Sequence, residues 1–181
     1  RSGRRIKAGT VVLAAGPWSG QLAARAEIAL PVEPRRRSVF VLDVRPSQGR
    51  GPPGLTPLTI DPSGVWFRPD GRFYLAGTTP AAGNDPPEPP LEVQHAEWDD
   101  MVWPALAARV PAFEAAKVVN SWAGYYEYNT FDQNGIVGRH PERENLIFAT
   151  GFSGHGIQQS PAVGRAVAEL IVHGGYRTLD L

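Results

Sequence analysis

Leu146-Ile147-Phe148-Ala149-Thr150-Gly151 is apolar enough for a strand buried on both faces, and it runs straight into a glycine-rich turn. That turn is Gly151-Phe152-Ser153-Gly154-His155-Gly156, and Val163, Val167, Leu170 and Ile171 then recur at helical spacing. Ser160-Pro161 offers an N-cap and a first helical position, and Gly174-Gly175 ends the helix. A strand, a glycine turn and a helix in that order aim backbone N–H groups at one place, where they can hold an electron-rich ligand edge. A tight structural connection leaves the same pattern. A hydrolase nucleophile elbow is excluded, because it needs glycine two residues either side of the serine and position 155 is histidine.

A second strand of this type lies near the start. Thr10-Val11-Val12-Leu13-Ala14-Ala15-Gly16 is short, β-branched and stopped by glycine, and Pro17-Trp18-Ser19 opens a short helical pattern through Leu22 and Ala23. From Pro31 the period changes to two, broken by Gly and Pro. Ser38-Val39-Phe40-Val41-Leu42-Asp43-Val44 and Leu58-Thr59-Ile60 read as strands. Val65-Trp66-Phe67-Arg68, a Pro69-Asp70-Gly71 turn and Arg72-Phe73-Tyr74-Leu75-Ala76 read as a hairpin. Five prolines between positions 80 and 90 mark an extended loop. Helical spacing covers 91–102, breaks at Trp103-Pro104 and resumes over 106–110. Val118-Val119-Asn120-Ser121-Trp122-Ala123-Gly124 and Ile136-Val137-Gly138 return to strand.

The expected fold class is α/β (α+β). Residues 1–30 would end a parallel-sheet domain, 31–122 would form an antiparallel-sheet domain, and 123–181 would return to the first. With 181 residues and 42% hydrophobic types, the chain can build one core or pieces of two.

Eighteen basic and eighteen acidic residues cancel, which removes the basic excess that phosphate-driven nucleic-acid binding uses. The dense basic run, Arg35-Arg36-Arg37, reads as a solvated strand edge. There is no cysteine, so disulfides, thiolate catalysis and Cys-ligated metals are excluded from this stretch. No apolar run reaches the roughly 18–20 residues that a membrane span needs. His95 and Asp99, at i and i+4, could place two ligands on one helix face; with no second pair nearby they read as a solvated face, so no metal is expected.

Gly49-Arg50-Gly51-Pro52-Pro53-Gly54 matches G-x-G-x-x-G, but two of its positions are prolines without an N–H for a phosphate, and no helical pattern follows. It reads as a plain loop. The chain also does not begin with Met, so it is expected to be part of something longer. Trp122-Ala123-Gly124-Tyr125-Tyr126-Glu127-Tyr128 gathers aromatics around one carboxylate. Core packing and an aromatic pocket wall both fit it.

Together these motifs resemble the D-amino-acid oxidase superfamily, which includes glycine oxidase, sarcosine oxidase and dimethylglycine dehydrogenase. Residues 11–19 resemble that family's strand before the substrate domain, and 65–77 its hairpin leading to G-T-T-P. Thr130-Phe131-Asp132-Gln133-Asn134-Gly135-Ile136-Val137-Gly138 resembles T-P-D-x-x-P-I-I-G, and 148–157 resembles the flavin motif A-x-G-F-S-G-H-G. Residues 122–135 and 151–168 further resemble a branch linked to respiratory complex I assembly, and its bacterial relatives.

The resemblance implies FAD as cofactor, a nucleotide-binding G-x-G-x-x-G segment lying upstream of this stretch, and an amine or amino-acid substrate that gives up hydride to the flavin. Ala15 and Gly16, with Trp18 in the same turn, would approach the cofactor. Gly151, Phe152, Ser153, Gly154, His155, Gly156, Ile157 and Gln158 would lie along the flavin. Tyr125 or Tyr126 would face the substrate, with His155 beside the reacting centre. The resemblance also implies a cytoplasmic location if the source is bacterial and the mitochondrial matrix if it is eukaryotic. The branch further implies a respiratory-complex assembly partner, with a structural flavin as the alternative role. Where sarcosine oxidases carry a lysine for the substrate carboxylate, this chain has Gln158. Lys7 and Lys117 are its only lysines, so neither that contact nor an oxygen-activating lysine carries over. Arg68 is the in-chain candidate to pair with a carboxylate.

Overall fold

The computed structural model of this chain describes residues 3–44 and 56–180, and the Gly49 to Gly54 motif lies outside them. In chain order the elements are β1 (Val11–Leu13), α1 (Ser19–Ala24), β2 (Val32–Asp43), β3 (Thr59–Ile60), β4 (Trp66–Asp70), β5 (Phe73–Gly77), α2 (His95–Glu97), α3 (Trp103–Arg109), β6 (Lys117–Asn129), β7 (Ile136–His140), β8 (Arg143–Thr150) and α4 (Gly156–His173). The chain divides into two units. One takes Arg1–Arg35 with Tyr126–Leu181, and the other takes Arg36–Tyr125. The composition-based boundaries lay at 30/31 and 122/123. Among the described residues, no helix is long and apolar enough to cross a membrane.

In the first unit β1 pairs in parallel with β8, matching Val11 with Leu146 and Leu13 with Phe148. β7 closes the other side of β8 antiparallel, giving the order β1-β8-β7. Two short β-branched strands can pair this way only if a long crossover joins them. Leu13, Ala23, Ile28 and Phe148 bury their side chains together, so α1 and the chain after it cover one face of the sheet.

Helix α4 starts at Gly156, not at Ser160, and Pro161 lies inside it. The expected cap was wrong, and the local chemistry explains how the helix tolerates the proline. Pro161 has no N–H for the Ile157 carbonyl, and the Ser160 hydroxyl donates to that carbonyl instead, at 2.8 Å. The helix ends as expected at Gly174, which sits at φ 75°. Beyond it the chain folds back on the buried Glu169, whose carboxylate accepts from the Arg177 amide at 2.7 Å, the Thr178 amide at 3.1 Å and the Thr178 hydroxyl.

The second unit holds the sheet order β3-β4-β5-β2-β6. The β4–β5 turn is Gly71-Arg72, one residue later than the expected Pro69-Asp70-Gly71, because Asp70 still pairs with Phe73. Gly71 supplies φ 61° at the first central position, where a two-residue hairpin favours glycine. Phe40, Leu42, Val65, Phe67, Tyr74 and Ala76 present one sheet face to Val102, Leu106 and Phe113. The Phe113 ring meets Phe67 and Tyr74 edge-on, with centroids 5.0 and 5.4 Å away.

The expected break at Trp103-Pro104 is absent. A π-helical stretch, Trp98–Val102, joins α2 to α3, and the Trp103 amide donates to the Trp98 carbonyl five residues back. Widening the helix there makes room for a proline ring that a regular α-helix would reject. The strand expected to end at Gly124 runs on to Asn129 through the aromatic cluster.

The three arginines of β2 are not a solvated edge. β2 is interior to its sheet, and each guanidinium is engaged. Arg35 lies over the Tyr128 ring at 5.2 Å and pairs with Glu33 at 2.8 Å. Arg36 donates to the Pro90 carbonyl at 2.8 Å. Arg37 makes a two-pronged pair with Asp85 at 2.8 and 2.9 Å, both side chains largely buried, and so ties down the proline-rich loop.

Two outcomes follow from this packing. Phe113→Ala empties the centre of the second unit and lowers its stability by about 3–5 kcal/mol, read from urea unfolding. Glu169 is held down to about 2 from its ordinary 4.5, first by the Thr178 hydroxyl and then by the Arg177 amide, against the opposing cost of burial. A depressed carboxylate stabilises the fold above its unfolded pKa and loses that contribution as pH falls toward the folded value. Protection of the Arg177 and Thr178 amides, measured by hydrogen exchange, is therefore constant above about pH 4.5 and declines toward pH 2. Protection that is flat across this range would refute the anchor.

Candidate functional site

β1 and β8 are parallel neighbours, so their C-terminal ends deliver two glycine turns to the same edge of the sheet. After β8 the backbone takes φ 78° at Gly151, 49° at Ser153 and 93° at Gly154 before His155 enters α4. These glycines are needed for different reasons. A Cβ on Gly151 would press on Val32 Cγ2 at 3.1 Å, so close packing excludes it as well as conformation. A Cβ on Gly154 would meet only the Tyr126 ring, at an ordinary 3.7 Å, so there the backbone angle alone demands glycine. Ser153 adopts its unusual angle because both sides of it are tied. Its amide donates to the Glu127 carbonyl at 2.9 Å, and its hydroxyl accepts from the Asn129 amide at 2.9 Å.

The turn opens into the N-terminus of an 18-residue helix. The first amides of such a helix have no partner within it and carry the positive end of its dipole. The His155 side chain does not cap them, and the first turn holds no acidic residue. Ile157 is 88% exposed, and Gln158 is exposed beside it. At the end of β1, Gly16 sits at φ 56° with open space where a Cβ would be, and it starts the 3-10 turn Gly16–Trp18, on which Trp18 is half exposed.

Beneath the turn lies a hydrogen-bonded relay. Thr150 Oγ1 is 2.6 Å from Ser19 Oγ and 2.6 Å from Glu127 Oε2. A hydroxyl has one proton and a carboxylate only accepts, so Thr150 donates to Glu127 and Ser19 donates to Thr150. The Gly151 amide adds a second donor to the same Glu127 oxygen at 2.8 Å. Ser19 and Thr150 are fully buried, which makes this relay costly to break. Asn129 organises the next loop, donating from Nδ2 to Asp132 at 2.9 Å and to the Asn134 carbonyl at 2.6 Å, and leaving Phe131 exposed.

Of the residues expected from sequence, Ala15, Gly16, Trp18, Tyr126 and the run 151–158 all belong to the first unit. Phe152 is buried and packs against Gly135 and Gly156, so it shapes the turn from inside. Tyr126 stands edge-on to Tyr128 at 6.1 Å and lies beside Gly154. Tyr125 and Arg68 belong to the second unit. The Tyr125 hydroxyl donates to the Pro89 carbonyl. Arg68 is held at the hairpin end by Asp70 and the Pro69 carbonyl, each at 3.1 Å. The sequence reading missed Ser19 and Thr150 and saw Glu127 only as a carboxylate among aromatics. A threonine closing a buried strand and an acid in a half-buried strand are the signals that point to them.

Cβ-free backbone at Gly16 and Gly154, with the helix-end amides of α4, fits a flat ring that carries hydrogen-bond acceptors on its edge, such as a flavin. Gly154→Val strains the turn by about 1–3 kcal/mol and puts a side chain on its open backbone. The expected result is a folded full-length protein that purifies without flavin. A fully yellow variant would refute a role for this backbone in holding the ring.

Known proteins match this arrangement. The chain is 51% identical over 189 residues to FAD-dependent oxidoreductase domain-containing protein 1 of Xenopus laevis, covering 97% of this chain and 37% of that protein. The chain thus spans well under half the length of that relative. The crystal structure of glycine oxidase from Geobacillus kaustophilus superposes with TM-score 0.79 at 28% identity, over 99% of this chain and 45% of that one. L-proline dehydrogenase from P. horikoshii gives TM-score 0.79 at 29% identity, over 95% and 45%. The family model for FAD dependent oxidoreductases (DAO) matches residues 1–170, and the chain belongs to that FAD-dependent family.

Proposed function

We propose that this flavoprotein oxidises the C–N bond of a small amine or amino acid, as a dehydrogenase or an oxidase. The observation that carries this reading is the open turn at 151–154 backed by the N-terminus of α4. Bound FAD would supply the two-electron acceptor: the substrate carbon would give it hydride as the nitrogen lone pair closes a C=N bond, and water would hydrolyse the resulting iminium to a carbonyl compound and an amine. The chain's own groups do the positioning. The amides at the start of α4 favour negative charge gathering beside them, which assists a ring that becomes electron-rich on reduction. Tyr126 supplies an aromatic wall next to Gly154. Gln158 can donate hydrogen bonds to a substrate carboxylate but brings no charge.

A second reading makes the flavin structural in a protein that assists assembly of a respiratory complex. The neutral Gln158 and the lack of a lysine beyond Lys7 and Lys117 favour it. On either reading we place the protein in the cytoplasm of a bacterium or the mitochondrial matrix of a eukaryote.

The two are separated by anaerobic flavin reduction in the full-length protein across N-methyl amino acids, D-amino acids and simple amines. We expect saturable reduction by at least one compound. A neutral hydrogen bond contributes about 0.5–1.5 kcal/mol, so a matching amine without a carboxylate loses only about tenfold or less. A flavin that stays oxidised with every compound, yet is required for partner binding, overturns the catalytic reading.

A further inference from the structure

We propose that Glu127 is a positioning residue for the flavin, acting as a carboxylate anion that fixes the turn at 151–154. This rests on the family's FAD and not on the choice of substrate. Three hydrogen bonds that shape the turn and its approach end on this one residue. Its Oε2 accepts from the Gly151 amide at 2.8 Å and from the Thr150 hydroxyl at 2.6 Å, and its backbone carbonyl accepts from the Ser153 amide at 2.9 Å. Gly151 and Ser153 are two of the three turn residues with positive φ, so the bonds fall where the backbone most needs support.

Both donors converge on one oxygen, Oε2, and such bonds are strongest when that oxygen belongs to a carboxylate. Both groups facing Oε2 give a proton, and Ser19 supplies the proton that Thr150 would otherwise lack as an acceptor. An amide nitrogen in that place would face a donor with a donor, and a neutral oxygen would accept the same bonds more weakly. Buried apolar side chains would fill the same space without this requirement, yet Ser19 and Thr150 are polar and fully buried. The anion therefore lies directly behind the first residue of the turn. Flavin gains negative charge when reduced, so a fixed anion on this side holds its potential below that of the same site without the charge.

The test uses the full-length holoprotein with Glu127→Gln and Thr150→Val. Two quantities are measured: the FAD dissociation constant, by ultrafiltration, and the two-electron potential, by dye equilibration. Glu127→Gln is expected to bind FAD about tenfold more weakly. Its reduction equilibrium should shift about tenfold toward reduced flavin, a rise of about 30 mV for a two-electron couple. Thr150→Val removes a donor but leaves the charge, so affinity falls and the potential moves less. A merely structural glutamate would lower the melting temperature and leave both flavin quantities within twofold of wild type, and that result overturns the proposal. If Glu127→Gln does not fold, Thr150→Val decides: FAD affinity within twofold of wild type overturns the proposal, and a larger loss supports it.

Discussion

The carboxylate of Glu127 on β6 ties together stretches that are far apart in sequence: the end of β8 and the turn after it, through the adjacent Thr150 and Gly151, and, by way of Thr150, the start of α1 at Ser19. Taking a charge out of water is expensive, and a carboxylate partly removed from it needs donors to match. Here they are a buried hydroxyl, itself supplied by a second buried hydroxyl, and a backbone amide. Losing any one leaves the others with unmet polar atoms. The turn at 151–154 therefore inherits its conformation from the residues below it as much as from its own glycines.

The second unit uses a different principle. Its sheet face is closed by aromatic edges around Phe113 and by Val102 and Leu106 from the helical segment. Polar contacts there serve the periphery, as when Arg37 and Asp85 hold down the proline-rich loop. One unit is specified by directional bonds at a strand end and the other by shape.

Much of this was legible in the residue pattern. The two glycine-stopped strands, the β4–β5 hairpin and the end of α4 at Gly174 follow from β-branched runs, period two and a left-handed cap. The start of α4 did not, because Ser160-Pro161 is a strong helix-start signal in isolation. Only the hydroxyl's bond to the Ile157 carbonyl lets it sit inside a helix. The π stretch before Pro104 was hidden for a similar reason: sequence shows the proline but not the widened turn that admits it. Arg35-Arg36-Arg37 looked solvated because charge runs usually are. Their partners, from Glu33 and Tyr128 to Asp85 and Pro90, are mostly remote in sequence and meet them only in the fold. At the site, glycines that need positive φ announce themselves, whereas a glutamate's role depends on which hydroxyls end up beneath it.

The discontinuity of the first unit has a consequence for synthesis on the ribosome. Residues 36–125 form a contiguous unit with its own core and can collapse as soon as they emerge. The pairing of β1 with β8, and of Ser19 with Thr150, must wait until residues 143–150 have also been made. At roughly 5–20 residues per second, Val11, Val12 and Leu13 wait on the order of ten seconds for their partner strand. For that interval the edge of β1 that receives β8 stays open and adhesive, and chaperones that shield nascent chains are its natural custodians.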